Sequence, residues 1–168
     1  TRVRSSAASD VYKRQTMATP FLCQPIQHGA DIVVHSTTKF LSGHGNAMGG
    51  AIVDSGTFDW AQNDKYPSLA QPEEAYHGLN FYESFGDLAY TTYGHAVGLR
   101  DLGPTMAPMN AYLTIMGIET LALRMEKHVA NAEVVANYLH NHAKVSWVSY
   151  AGLEESNYFH LAKKYLPK

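Results

Sequence analysis

Residues 30–46 read Ala-Asp-Ile-Val-Val-His-Ser-Thr-Thr-Lys-Phe-Leu-Ser-Gly-His-Gly-Asn, and this stretch is the most informative of the chain. Its β-branched apolar run predicts a buried strand over residues 30–35. Ser36, Thr38 and Lys39 follow where that strand ends, which is where α/β folds place their chemistry. In an extended backbone the two hydroxyls point one way and the amine points the other way. We therefore expect the hydroxyls to hold an anion while Lys39 reaches another part of the same ligand, as a phosphate-bearing aldehyde would allow.

Three consecutive motifs around Lys39 resemble the cofactor-lysine region of the pyridoxal-phosphate enzymes of cysteine and methionine metabolism. They are His-Ser-x-Thr-Lys-Phe, then Gly-His-Gly, then an apolar segment at residues 48–54 that predicts a second strand. The resemblance implies that Lys39 forms a Schiff base with pyridoxal 5′-phosphate and that Ser36 and Thr38 bind the cofactor phosphate. From the residues alone, the two hydroxyls could instead cap the following turn. Further resemblance lies in residues 16–23, 99–103 and 116–128, so that it covers about 16–168.

The resemblance implies an α/β fold, namely part of a fold type I aminotransferase-like large domain that leads into the small C-terminal domain. We divide the chain into a leader that does not look native (1–15), part of the cofactor-binding large domain (16–117), a linking helix (118–142) and the start of the C-terminal domain (143–168). The leader has no apolar periodicity and does not resemble the family. We therefore exclude it from the fold, as one would a fusion scar.

One departure from the family pattern is chemically serious. The family places an aspartate just ahead of Thr16, where its carboxylate keeps the pyridine nitrogen of the cofactor protonated. Here Lys13, Arg14 and Gln15 occupy that place, and a cationic pair cannot do this. The resemblance also implies that the ring-stacking aromatic residue, a Gly-rich phosphate turn and residues lent by a neighbouring subunit precede Thr16, and that the arginine for the substrate carboxylate follows Lys168. We expect a fragment that is inactive by itself.

The aromatic stretch at residues 66–85 looks most like the O-acetylhomoserine sulfhydrylase branch of the family. This implies a γ-replacement in which O-acetylhomoserine loses acetate from its γ-carbon and gains sulfide or a small thiol, giving homocysteine or methionine. The family also implies a homotetramer. A cystathionine γ-synthase or γ-lyase of the same family is an alternative. A fragment without catalysis, serving at most as an interaction piece, is an alternative of another class.

Composition favours a soluble enzyme and disfavours other classes of protein. The 168 residues are 45% hydrophobic and 17% charged, which allows a sizeable core. No apolar run approaches the ~18 residues of a membrane span, no signal peptide is visible, and Cys23 has no cysteine to pair with, so we expect a cytoplasmic protein. The net charge is −2, and becomes −5 without the four basic residues and one acidic residue of the leader. This acidity argues against nucleic-acid binding.

Other candidate sites are weaker. The nine histidines include no His-Glu-x-x-His and have no cysteine at ligand spacing, so we expect no metal. The glycines at 43, 45, 49 and 50 form no dinucleotide fingerprint and are better explained as permitting tight bends beside the lysine. Arg100 and Arg124 could bind anions, although a surface ion pair is the commoner role of an arginine on a helix.

The remaining elements are predicted from periodicity and turn residues. Apolar spacings of three, four or seven predict the clearest helix over residues 118–142. Prolines and glycine among the aromatic residues predict a long irregular loop over residues 66–84. Shorter elements are a helix or turn at 25–29, a Gly-rich bend at 40–46, a helical turn at 58–63, a helical region from 86 onward, a strand at 145–150 and an amphipathic helix at 154–166.

Overall fold

The structure is a computed structural model and describes residues 12–14 and 16–166. The chain divides into two compact units. The first contains Pro25–Val34 and Ala51–Pro108, together with the short strand at residues 12–14. The second contains residues 16–24, His35–Gly50 and residues 109–166. No helix in these described ranges combines the length and the apolar character needed to cross a membrane.

Three strands form a sheet in the order β1 (Tyr12–Arg14), β2 (Ile32–Ser36) and β3 (Gly50–Asp54). β1 runs parallel to β2, with Tyr12 opposite Ile32. β2 and β3 are antiparallel, because hydrogen bonds join Ser55 N to Asp31 O at 2.8 Å and Thr37 N to Gly49 O at 3.0 Å, at opposite ends of the pair. Both strands expected from the apolar runs are therefore present, each shifted by one or two residues.

The sequence predicts no element before Thr16, whereas the structure pairs Tyr12–Arg14 with β2. This parallel pairing gives β2 a backbone partner on the side away from β3. The assignment of residues 1–15 as a leader stays a prediction, and residues 1–11 and 15 lie outside the described part of the chain.

The first unit is built on an aromatic core. Phe81 is 1% exposed, and the Trp60 ring stacks on the Tyr90 ring at a centroid distance of 5.3 Å and an interplanar angle of 8°. The helical elements are α2 (Pro67–Ala70), a 3₁₀ turn at Glu74–Tyr76, α3 (Phe81–Phe85), a 3₁₀ turn at Gly86–Leu88, α4 (Ala89–Tyr93) and a π-helix at Gly94–Asp101. The predicted helical region from residue 86 is confirmed, whereas residues 58–63 form turns without a helix.

The prediction of an irregular loop over residues 66–84 is wrong. Short helices fill most of this range because their aromatic side chains are buried against one another, which outweighs the turn-forming prolines and glycine. Asn80 caps α3, since its Oδ1 accepts hydrogen bonds from the backbone N–H groups of Tyr82 at 3.1 Å and Glu83 at 3.2 Å.

The second unit is mostly helical, with α1 (Thr19–Leu22), α5 (Pro108–Glu119), α6 (Leu121–His140) and α7 (Phe159–Tyr165). Leu41, Leu121 and Met125 form its buried cluster, against which Phe40 packs. The short helix predicted near residue 25 is present as a 3₁₀ turn at Pro25–His28 in the first unit.

The single helix predicted over residues 118–142 is instead two helices separated at Thr120. Leu121 and Met125 are buried as expected, but Val135 is 54% exposed, so the predicted apolar face is only partly covered. Residues 145–150 are not a strand, because no neighbouring strand in the described part of the chain supplies their backbone bonds. The helix predicted over residues 154–166 is shorter and corresponds to α7.

Candidate functional site

Lys39 lies in a tight turn that follows β2, and residues 37–43 are called the lysine turn below. The turn is closed by hydrogen bonds from Ser42 N to Thr37 O at 3.0 Å and from Gly43 N to Lys39 O at 2.8 Å. The backbone is therefore not extended beyond Ser36, and the expected alternation of Ser36, Thr38 and Lys39 along a strand is wrong. The backbone bends here because Thr37 O and Lys39 O bond within the turn rather than along the sheet.

Two polar groups of the predicted site have free bonding capacity. Lys39 is exposed, and in residues 12–14 and 16–166 its amine forms no hydrogen bond or ion pair. The Ser36 hydroxyl likewise has no partner within those ranges. A primary amine can attack an aldehyde, and a hydroxyl can donate to a phosphate oxygen. Lys39 and Ser36 therefore carry the two chemical groups that a phosphate-bearing aldehyde requires, namely an amine for the aldehyde and a hydroxyl for the phosphate.

Thr38 is placed differently from Ser36. Its Oγ1 accepts a hydrogen bond from Gly49 N at 3.2 Å and donates one to Gly49 O at 3.4 Å. The only proton of the hydroxyl is thus directed at a backbone carbonyl. These two bonds join Thr38 to the residue before β3 and do not cap the turn that follows, and its phosphate contact stays a prediction.

Two residues that the sequence analysis did not single out as binding groups lie on either side of Ser36. His35 and Thr37 are 6% and 3% exposed, and neither His35 Nδ1 nor Thr37 Oγ1 has a hydrogen-bond partner among the described residues. Buried polar atoms are normally satisfied. The end of β2 therefore carries unsatisfied bonding capacity, which sequence patterns do not reveal because it depends on burial.

The predicted Gly-rich bend at residues 40–46 is confirmed, and its first part overlaps the lysine turn. Gly43 and Gly45 have φ angles of 77° and 67°, in the left-handed region that favours glycine. The fully buried Ser42 donates from Oγ to Asn46 Oδ1 at 3.3 Å, and His44 Nδ1 donates to Ser42 O at 2.8 Å. The bend is thus fixed by its own polar groups.

The segment that contains Thr16 and Thr19 has a strained backbone position. Thr16 Oγ1 is 3.5 Å from Ser36 N, which places the segment after residue 15 next to the end of β2. Thr19, fully buried in that segment, has a φ of 59° although it is β-branched and precedes a proline. Such a conformation costs about 1–3 kcal/mol and persists only where its surroundings impose it.

Arg124 forms no ion pair with any residue in the ranges 12–14 and 16–166. Its guanidinium donates from Nη1 to Phe40 O at 2.9 Å, from Nη2 to Gly117 O at 2.6 Å and from Nε to Thr120 Oγ1 at 3.1 Å. All three acceptors are neutral, so these bonds replace the surface ion pair expected of this arginine, while an anion-binding role stays a prediction. No sequence signal connects Arg124 with Phe40, which lies 84 residues earlier.

Arg100 forms the surface ion pair expected of it, with Nε 3.0 Å from Asp101 Oδ1. Tyr76 joins the pair, because its hydroxyl donates to Asp101 Oδ2 at 2.5 Å and accepts from Arg100 Nη2 at 3.0 Å. The hydrogen bond from Tyr76 lowers the pKa of Asp101, helped by Arg100, while the same bond raises the pKa of Tyr76. These shifts belong to groups of the first unit. No group of three or more His, Cys, Asp or Glu side chains suited to a metal ion occurs in the described ranges.

A family model described as Cys/Met metabolism PLP-dependent enzyme matches residues 10–168 of the chain. The chain is 48% identical over 158 residues to an O-acetyl-L-homoserine sulfhydrylase of Leptospira meyeri, covering 89% of this chain and 36% of that protein. It is 52% identical over 147 residues to a homocysteine synthase of Schizosaccharomyces pombe, covering 87% of this chain and 34% of that protein. The chain therefore spans about a third of the length of these relatives.

The structure resembles a crystal structure described as an O-acetylhomoserine (thiol)-lyase from Campylobacter jejuni. The TM-score is 0.81 at 43% sequence identity, and the match covers 94% of this chain and 39% of that one. The crystallised protein contains N′-pyridoxyl-lysine-5′-monophosphate. This likeness, together with the family match, confirms the predicted α/β fold of type I.

Proposed function

Because this chain belongs to the family of Cys/Met metabolism PLP-dependent enzymes, we propose that the protein is a transferase that makes homocysteine from O-acetylhomoserine and sulfide, or methionine when a small thiol replaces sulfide. Acetate first leaves the γ-carbon of the substrate with its bonding electron pair, and the sulfur of sulfide or the thiol then forms its bond to that carbon. The observation that carries the proposal is that, within residues 12–14 and 16–166, neither the Lys39 amine in the turn after β2 nor the Ser36 hydroxyl at the end of that strand has a bonding partner. The names of relatives at 48% and 52% identity support the same reaction.

The residues present fit pyridoxal 5′-phosphate. Lys39 Nζ would hold the aldehyde carbon of the cofactor covalently, and Ser36 Oγ would donate to its phosphate. Thr38 Oγ1 would do the same after exchanging its bond to Gly49 O for one to a phosphate oxygen. A bond to a charged oxygen is about twice as strong as one between neutral groups, which favours this exchange.

When bound, the cofactor supplies an electron sink that stabilises negative charge at the α-carbon of the substrate. Lys39 Nζ would take the proton from that α-carbon as a general base. Ser36 and Thr38 would hold the phosphate end, so that Lys39 would stay within reach of the proton. The lysine turn orients this amine through its two internal hydrogen bonds.

The remaining parts of the proposal concern the whole protein. We propose a homotetramer in the cytoplasm that acts on these small substrates and does not bind nucleic acid. We also propose that residues 16–117 belong to the cofactor-binding large domain, that 118–142 link the domains, and that 143–168 begin the C-terminal domain. Sedimentation of the purified protein would report the assembly, and limited proteolysis would report the boundaries.

The test has a labelling arm and a product arm. The protein is incubated with pyridoxal 5′-phosphate, reduced with borohydride and mapped by peptide mass spectrometry. We expect a phosphopyridoxyl group on Lys39, its loss in Lys39→Ala, and its retention in the control Lys65→Ala. A label confined to another lysine would overturn the assignment.

In the product arm, the complete protein is supplied with O-acetylhomoserine and either sulfide or cysteine. Homocysteine from sulfide, with little product from cysteine, supports the proposed reaction. Cystathionine from cysteine would indicate a γ-synthase, and release of ammonia with an oxoacid would indicate a γ-lyase. Removing the base should lower turnover by about 10²–10⁴-fold in Lys39→Ala.

A further inference from the structure

We propose that Arg124 is a positioning residue that fixes the lysine turn, and so sets where the Lys39 amine projects. The inference rests on the proposed function for its consequence, but its structural basis does not involve the cofactor. Arg124 lies on α6, whereas the groups it binds lie in the lysine turn and at the end of α5. All of these parts belong to the second unit.

The guanidinium binds two carbonyl groups that secondary structure leaves without partners. Gly117 O is one of the last four carbonyls of α5, which have no N–H available within that helix. Phe40 O belongs to the residue directly after Lys39, and no backbone N–H of the turn donates to it. Arg124 donates to both at once, at 2.6 and 2.9 Å, and so joins the end of α5 to the turn.

A third hydrogen bond of Arg124 sets the orientation of its guanidinium group. Nε of Arg124 donates to Thr120 Oγ1, which in turn donates to Gly117 O at 3.4 Å. The guanidinium has five donors in a rigid plane, and three of its donor groups are used here. A lysine ammonium is a compact point charge on a flexible stem and cannot reproduce this fork.

Two glycines permit the approach of α5 and Arg124 to the turn. A Cβ on Gly117 would lie 2.0 Å from Ser42 O, so α5 and the turn touch backbone to backbone. A Cβ on Gly43 would lie 2.5 Å from Cζ and Nη1 of Arg124. The guanidinium thus lies against the backbone of the turn, in a space that any side chain at Gly43 would occupy.

Gly43 and Gly45 provide a matched pair for the experiment. Both have φ in the left-handed region, so an alanine is strained at either site. Only at Gly43 would the new methyl group displace the guanidinium, because nothing lies within 4 Å of a Cβ at Gly45. The difference between Gly43→Ala and Gly45→Ala therefore isolates the contact with Arg124.

The first measurement is amide hydrogen exchange of the full chain without cofactor. Gly43 N donates to Lys39 O and Ser42 N donates to Thr37 O, so these two amides report opening of the turn. We expect exchange about ten-fold faster or more in Arg124→Lys and Gly43→Ala. Arg100→Lys, a substitution in a surface ion pair of the first unit, and Gly45→Ala should leave both rates within about three-fold of the original chain.

The second measurement is covalent retention of pyridoxal 5′-phosphate at Lys39, followed by the long-wavelength absorbance of the bound cofactor during dialysis. We expect loss about ten-fold faster in Arg124→Lys than in Arg100→Lys. Added guanidinium ion at millimolar concentration should slow the loss in Arg124→Ala and leave Arg124→Lys unaffected, because only the alanine variant leaves space for it. Thr120→Val, which removes one acceptor at an exposed site, serves if the alanine variant does not fold.

The outcomes separate the two proposals. Unchanged exchange at Gly43 in Arg124→Lys, or equal effects in the Gly43 and Gly45 variants, would overturn the positioning role. Faster exchange in Arg124→Lys with no labelling of Lys39 in the original chain would overturn the proposed function, while the fixing of the turn by Arg124 would stand. Faster exchange together with faster cofactor loss supports both.

Discussion

The lysine turn and the aromatic segment, residues 58–93, are ordered by different forces. In the turn, backbone hydrogen bonds, Gly43 in the left-handed region and the Arg124 guanidinium fix the chain. In the aromatic segment, buried rings such as Phe81 and Trp60 fix a chain that contains several turn-forming residues. Hydrogen bonds determine the position of individual polar groups, whereas ring packing determines overall order but tolerates small shifts.

This difference suits the part that each region would play. A group that must meet a small ligand needs a fixed position, and the short-range bonds of the turn supply it. The aromatic segment instead contributes the partly buried Tyr76, whose hydroxyl binds the exposed Arg100 and Asp101 beyond its end. Four predictions, from the largest expected effect to the smallest, test whether the two regions are stabilised in these separate ways.

Phe81→Ala should produce the largest loss of stability, because the ring is 1% exposed and contacts Tyr76 and Tyr93 edge-on. We expect the free energy of unfolding to fall by about 3–5 kcal/mol. Urea unfolding followed by near-ultraviolet circular dichroism would measure it. Phe85→Ala is the control, since Phe85 is 40% exposed and should cost less than half as much. Equal losses would show that the aromatic segment has no real core.

Gly117→Ala tests the close approach of α5 to the lysine turn. Alanine is a better helix former than glycine by about 1 kcal/mol, yet its Cβ would lie 2.0 Å from Ser42 O, a backbone atom that cannot rotate away. We expect a net loss of about 1–3 kcal/mol in thermal or urea unfolding.

The matched control is Gly98→Ala. This helical glycine has nothing within 4 Å of its Cβ, so we expect no loss of stability. If Gly117→Ala unfolds at the same midpoint as the original chain, the close backbone contact between Gly117 and Ser42 O is contradicted.

Ser36→Ala and Thr38→Ala should differ, although the sequence gives the two hydroxyls the same role. Thr38→Ala leaves the N–H of Gly49 without its partner, while Gly49 O keeps the bond from Thr37 N, so we expect a loss of about 0.5–1.5 kcal/mol in unfolding free energy. Ser36→Ala removes no bond in the described residues and should change it by less than about 0.5 kcal/mol. Both should bind pyridoxal 5′-phosphate more weakly in an absorbance titration.

Thr38→Ser is the control for that comparison, because it keeps the hydroxyl. It should retain most of the stability and the affinity for the cofactor. If the Ser36 and Thr38 alanine variants both bind the cofactor as tightly as the original protein, the two hydroxyls have only a structural role.

The smallest effect concerns the pH dependence of stability that arises from the partly buried Tyr76 and the exposed Asp101. Asp101 has a lowered pKa, so its contribution to stability is present above the ordinary carboxyl pKa and is lost as pH falls through the lowered value. Tyr76 has a raised pKa, so its contribution is present below its ordinary value of 10.0 and is lost as pH rises through the raised value. The phenolate absorbance that disappears in Tyr76→Phe should therefore titrate above 10.0.

Asp101→Asn provides the control for both directions. It should bring the titration of Tyr76 back toward its ordinary value and remove the acid-side decline. Identical phenolate titrations in the original chain and in Asp101→Asn would show that the hydrogen bond contributes nothing in solution.

Prediction from sequence succeeded where local signals and tertiary structure agree. The β-branched run at residues 32–34 and the glycines that follow gave the strand and the bend, because strand propensity and left-handed φ are local properties. Prediction failed for residues 66–84, where prolines and a glycine indicate a loop while the burial of Phe81 favours helices. It also failed at Thr120, where one periodic pattern continues across two helices.

By itself, the sequence determined the strand β2, the bend after it and the candidate residues Ser36, Thr38 and Lys39, since each follows from residue type and spacing. The tertiary structure alone decided that Thr38 bonds Gly49 while the Ser36 hydroxyl has no partner among the described residues, and that Arg124 reaches Phe40 across 84 residues. The physical reason is range: backbone preferences act over a few residues, whereas hydrogen bonds between distant segments exist only after packing has brought α5, α6 and the lysine turn together.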